Sequence, residues 1–122
     1  MELKQLTEQL IVSCDDAVNR FYKMREEDRE PDFFGEVKPY ADHVHAQLKV
    51  WQQQSKQFID QYQPKHFHYM QVDNAVEAME QFTVQSFYKK TSKKRFIQSV
   101  QSVHYTLSKF LRYVNEEDTH AE

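Results

Sequence analysis

The sharpest chemical feature of the sequence is a basic run, Tyr88-Lys89-Lys90-Thr91-Ser92-Lys93-Lys94-Arg95-Phe96. Cations and hydroxyls gathered where a helix begins, beside amides that lack a helical partner, are the ingredients of a phosphate or RNA-backbone site. Lys89, Lys90, Lys93, Lys94 and Arg95 are therefore the candidate anion-binding residues. Two considerations weigh against them: cations at a helix N-terminus oppose the helix dipole, and charge runs are usually solvated faces.

Histidine is the second chemical resource, at positions 43, 45, 66, 68, 104 and 120. A dinuclear metal site in a helical bundle draws an inward Glu from two helices and a Glu-x-x-His pair from each of the others. Here only Asp42-x-x-His45 and Glu117-x-x-His120 come near that pattern, and Asp42 falls outside the apolar stripe of its helix. His66-x-His68 offers two ligands in a loop without two convincing further ones. His104 borders the core beside Val103 and reads as a partly buried histidine bonded to a backbone or hydroxyl group.

Cys14 is the single cysteine. It lies on an inward stripe with no basic neighbour on its own helix face, which makes it a small apolar core residue rather than a nucleophile. No Gly-x-Ser-x-Gly turn is present, and the lone Gly35 excludes a Gly-rich phosphate loop. The expectation is a chain without catalytic residues, metal or cofactor, and not an enzyme.

Any such group must be positioned by helices. From Leu3 the apolar and small residues recur in steps of four and three through Thr7, Leu10, Cys14, Ala17, Phe21 and Met24. The stripe fades in the crowded charges of Glu26 to Glu30 and stops at Pro31, which has no N–H to donate. Asp32 is then placed to cap a short helical turn carrying Phe33, Phe34 and Val37. Pro39 suits the first turn of the next helix, whose stripe runs Ala41, Val44, Leu48, Trp51, Ser55, Phe58 and Tyr62 until Pro64 ends it.

A third stripe carries Val72, Ala75, Met79, Phe82 and Ser86, and a fourth carries Phe96, Val100, Val103, Leu107, Phe110 and Val114. Thr91 or Ser92 can cap the fourth. The spacing predicts helices over 3–27, 40–62, 70–89 and 93–115, with the polar tail 116–122 frayed. One Gly and three Pro in 122 residues leave little turn chemistry for a sheet fold. The reading is all-α: one domain over 1–122, an antiparallel up-down-up-down four-helix bundle with a short extra helical turn between helices 1 and 2.

That topology puts the first and third connections at one end. The acidic stretch Glu26, Glu27, Asp28, Glu30 and Asp32 should then face the basic stretch Lys89 to Arg95. Val84, Tyr88 and Tyr105 fall away from the main stripes and are the candidate residues of a partner or homodimer surface.

The net charge of −3 is too mild to steer the whole molecule toward nucleic acid. The longest aliphatic run, Leu10-Ile11-Val12, is far short of a membrane span, and the N-terminus lacks a secretory pattern, so a cytoplasmic protein is expected.

Asp32-Phe33-Phe34, Val37-Lys38-Pro39, Trp51, Pro64, Gln85-Ser86, Lys94-Arg95-Phe96 and Tyr105-Thr106-Leu107 together resemble the YppE-like family, small uncharacterised proteins of low-GC Gram-positive bacteria. The resemblance spans nearly the whole chain and implies a cytoplasmic helical bundle. It brings no catalytic or binding residues with it. The functional expectation is a non-enzymatic protein-interaction module, using a bundle face or the charged loop end. The alternative is a small-molecule or metal-binding bundle, in which His66, His68 or His104 would take part. Weak nucleic-acid or phosphate binding through 89–95 stands third.

Overall fold

The four stripes become four helices in the computed structural model, which describes residues 2–120: α1 (Leu3–Glu27), α2 (Lys38–Tyr62), α3 (Tyr69–Gln85) and α4 (Lys93–His120). A π-helical turn, Phe33–Val37, leads directly into α2. Each helix packs along its two sequence neighbours in the ring, with α4 closing back onto α1. Among the described residues there is no strand.

The helix ends have local causes. Asp28 takes a left-handed conformation at φ 52°, which lets the amides of Asp28 and Arg29 bond the carbonyls of Arg25 and Met24. Gln63 does the same at φ 47°, its amide bonding the Ile59 carbonyl, and Pro64 prevents any continuation. α3 opens with the Gln71 side chain reaching back to the His68 amide at 2.7 Å.

All four helices turn their stripes into one core. Rings gather toward its two ends. Near the first and third connections Phe21 stacks on Phe96 at 4.3 Å between centroids, with the Phe82 ring edge-on at 6.2 Å. Toward the other end Phe110 collects Trp51, Phe58 and Phe67 at 5.7, 5.3 and 4.9 Å. Trp51 is fully enclosed, so its indole N–H needs an internal partner. The Thr7 hydroxyl accepts it at 3.0 Å and donates in turn to the Leu3 carbonyl at 2.7 Å.

Several expected boundaries and placements move. The third helix closes at Gln85 rather than 89, because its last carbonyls find other donors. The Ser86 hydroxyl donates to the Thr83 carbonyl, the Phe87 amide to Val84, the Tyr88 amide to Gln85, and the Thr91 hydroxyl again to Gln85. Thr91 thus serves the helix behind it rather than capping the one ahead. The second helix begins at Lys38, two residues before the expected start, since the π-turn runs straight into it. The fourth extends to His120, so 116–120, expected to fray, is helical; the last two tail residues lie outside the described residues. Tyr62, the last helical residue of α2, keeps 41% of its surface exposed, tilted against Phe58.

Candidate functional site

The end of the bundle that carries the first and third connections holds most of the molecule's unusual chemistry. Lys89 joins the two segments, its ammonium 2.7 Å from Asp28 and 3.7 Å from Glu30. Arg25 adds a hydrogen bond from its guanidinium to the Thr91 carbonyl while lying 4.3 Å over the Phe21 ring. Lys93 stands 5.5 Å over the ring of Tyr22. The acidic and basic stretches are therefore neighbours, as the topology requires. Lys89 also holds the Asp28 carboxyl below its ordinary range.

A second device organises the first connection. Arg29 grips Glu36 with two parallel bonds, Nη1–Oε1 at 2.8 Å and Nη2–Oε2 at 3.0 Å, and its Nε reaches Glu27 at 3.3 Å. Glu36 also accepts the Asp32 amide at 3.1 Å. The expected cap is thus inverted: Asp32 makes no side-chain bond to the turn, and Glu36 reaches back to Asp32. A methyl group at Gly35 would meet only the Asp32 side chain, whose carboxylate makes no bond to the turn and can swing aside.

The Arg29 guanidinium, helped by the Asp32 amide, pushes the Glu36 carboxyl down to about 2. A depressed folded value means the clamp is fully present above the ordinary glutamate range and is lost as pH falls through about 2. The Glu36 carboxyl carbon, followed by NMR against pH, should titrate near 2, and Arg29→Gln should return its midpoint toward 4.5. A midpoint near 4.5 in the unmodified protein would refute the clamp.

What the clamp holds up is an aromatic pair. Phe33 and Phe34 meet edge to face at 5.2 Å, yet are 46% and 77% exposed. Val37, at the end of the same turn, is fully enclosed. The turn is anchored by one apolar residue and presents two.

The family model for the bacterial domain of unknown function DUF1798 matches residues 7–114. The chain belongs to this family. Within it, the uncharacterised protein YppE of Bacillus subtilis is 26% identical over 117 residues, 96% of this chain and 95% of that protein. Its crystal structure superposes with a TM-score of 0.91, at the same identity and coverage. A DUF1798 structure from Staphylococcus aureus matches at a TM-score of 0.83 and 26% identity, covering 90% of this chain and 93% of that one. The resemblance drawn from the sequence motifs is correct, and the four-helix DUF1798 fold is the fold of this chain.

Other sequence candidates fare differently on this DUF1798 scaffold. Of the five basic residues, Lys89 is engaged by carboxylates, whereas Lys90, Lys94 and Arg95 stay exposed and make no ion pair among the described residues. Val84, in the last turn of α3, and Tyr88, beyond its end where the helical phase no longer continues, are both half-buried. Tyr105 is 64% exposed on the outer face of α4, so the three do not form the outward patch expected of them.

His66 and His68 are both exposed, and no three metal-ligating side chains converge among the described residues. His104 is half-buried, its Nδ1 3.4 Å from the Ser108 hydroxyl and its Nε2 3.8 Å from Asp15. Cys14 is enclosed in the core, and burial, with Asp15 nearby, pushes its thiol up to about 12. Among the described residues no helix is long and apolar enough to cross a membrane.

Two features had no separate mark in the sequence. One is the exposure of Phe33 and Phe34. The other is Arg20, whose guanidinium sits between the rings of Tyr40 and Phe87 at 4.3 and 4.5 Å and donates to the Ser86 hydroxyl at 2.8 Å.

Proposed function

We propose that this chain is a non-enzymatic, cytoplasmic protein-interaction module that docks through the Phe33–Phe34 turn. The observation that carries the reading is the pair's exposure of 46% and 77% on a segment fixed by the Arg29–Glu36 clamp. Large aromatic residues that give up little conformational freedom on binding dominate interface energetics. Around the pair, Glu26, Glu27, Asp28, Glu30, Asp32 and Glu36 outnumber the lone Arg29 of the same stretch. Such a surface fits an apolar pocket with a rim of lysine or arginine and is repelled by an anionic membrane or nucleic acid. Neutralisation of Lys89 weakens the nucleic-acid reading further.

The test compares capture from native cells by the unmodified chain and by Phe33→Ala/Phe34→Ala. A partner retained by the first should be lost by the second, with at least a tenfold drop in affinity once it is purified, roughly the loss of one interface hot spot. The melting temperature should change little, since Phe34 is mostly in water and Phe33 about half. Light scattering on both proteins separates a second copy from a different partner. A partner held equally by both proteins would remove the turn from its proposed role.

A further inference from the structure

α1 and α2 meet less extensively than any other neighbouring pair of helices, and the seam between them opens into a groove of about 640 Å³. Glu8, Val12 and Asp16 stand on its α1 wall, each four residues from the last and so on one face of the helix. The α2 wall carries Tyr40, His43 and Gln47, and the Gln47 amide crosses the seam to the Gln9 side-chain carbonyl at 3.1 Å. Glu8 and Asp16 are both exposed, and neither makes an ion pair among the described residues. No lysine or arginine lines the groove to offset them. Val12, between the two, is 56% exposed. The wall thus offers two uncompensated negative charges with an apolar side chain midway.

We infer that this groove docks a cationic amphipathic helix of a partner protein, with lysine or arginine on Glu8 and Asp16 and an apolar residue midway on Val12. The charge pattern selects the occupant. A nucleic acid or an anionic membrane would be repelled, and a second copy laid antiparallel on the same face would set carboxylates against carboxylates. Geometry selects the conformation. Glu8 and Asp16 lie about 12 Å apart along α1, a span that cations about seven residues apart on one face of a second helix can match. An extended segment would find no sheet edge here to pair its amides, whereas a helix satisfies its own. The track also has an end: Arg20 and Lys23 line the adjoining hollow beyond Asp16, so the cationic face must stop there. The surface is distinct from the Phe33–Phe34 turn and does not depend on that turn's role.

The probe is an alanine-based helical peptide of about 20 residues with two arginines about seven apart and a leucine midway, long enough to hold its helix. It is titrated into the full chain at low salt and followed by two-dimensional ¹⁵N NMR. Saturable shifts should appear at Glu8, Val12, Asp16, His43 and Gln47, with a Kd below about 1 mM. The same peptide with glutamate for arginine should bind at least about fivefold more weakly, and so should putrescine, which carries the two charges without the apolar residue. Glu8→Gln/Asp16→Asn changes two exposed side chains, so it should keep the melting temperature and weaken the arginine peptide about fivefold or more. Val12→Lys sets a like charge at the centre and should abolish binding, whereas Phe34→Ala should leave it unchanged. The proposal fails if the arginine peptide gives no saturable shift below about 1 mM, or if its shifts fall outside α1 and α2. It fails equally if putrescine or the glutamate peptide matches it, or if the double variant binds unchanged. Loss of binding in Phe34→Ala would overturn it as well, by placing the peptide on the turn.

Discussion

Replacing Phe110 with alanine should cost the fold about 3–5 kcal/mol, the range for removing a large ring from a rigid core. Phe110 is fully enclosed and is the ring that Trp51, Phe58 and Phe67 share, so its loss opens one cavity against both α2 and the connection that follows it. The neighbours cannot collapse into the space independently, because Trp51 is fixed by its bond to Thr7 and Phe58 by the rigid body of α2. A domain of this size has about 5–15 kcal/mol to lose, so the variant should remain folded only marginally. Urea unfolding followed by circular dichroism should show the midpoint fall by about 2 M, given ordinary denaturant slopes. A loss under about 1 kcal/mol would mean that the rings do not form the packed cluster described.

Phe67→Ala should be nearly as damaging, at about 3–4 kcal/mol, even though the residue lies in a connection rather than a helix. The Phe67 side chain has no exposed surface and rests on Phe110 and Tyr113. The connection is pinned over it by the bond from Lys109 to the His66 carbonyl at 2.9 Å. Since Phe67 and Phe110 touch, the double variant should lose less than the sum of the single losses, as contacting residues do. Strict additivity would show that the two residues act in separate parts of the core. Phe34→Ala makes the control, because its ring is mostly in water.

The comparison of these three phenylalanines shows what a sequence can say. Phe110 was legible because it repeats at helical spacing with Leu107, Val103 and Val114, and spacing states direction. Phe67 sits in a short connection with no period, where a single apolar residue gives no sign of which way it points. Phe34 lies on a turn with π-helical spacing, so neither the α-helical wheel nor its phase applied. Tyr88 failed for a related reason: a wheel extended past the true end of α3 assigns a face to a residue that is no longer on that helix.

The meeting of acidic and basic segments was readable because it follows from the number and order of the helices. Lys89 and Asp28 had only to lie on two connections at the same end of the bundle. Arg20 was invisible for the opposite reason. A long cationic side chain reads as solvent-facing on any wheel, yet its stem and guanidinium can be covered by rings that come from elsewhere in the chain. The Arg29–Glu36 clamp was equally hidden, since seven positions across a non-helical stretch is not a spacing that any regular element brings together.

The burial of Cys14 has a practical consequence. With the chain's one thiol sealed inside and its proton held to about pH 12, a soluble alkylating reagent at neutral pH finds no nucleophile while the helices stay closed. Labelling therefore counts only molecules that have opened, and its rate reads the opening equilibrium directly in native buffer, without denaturant.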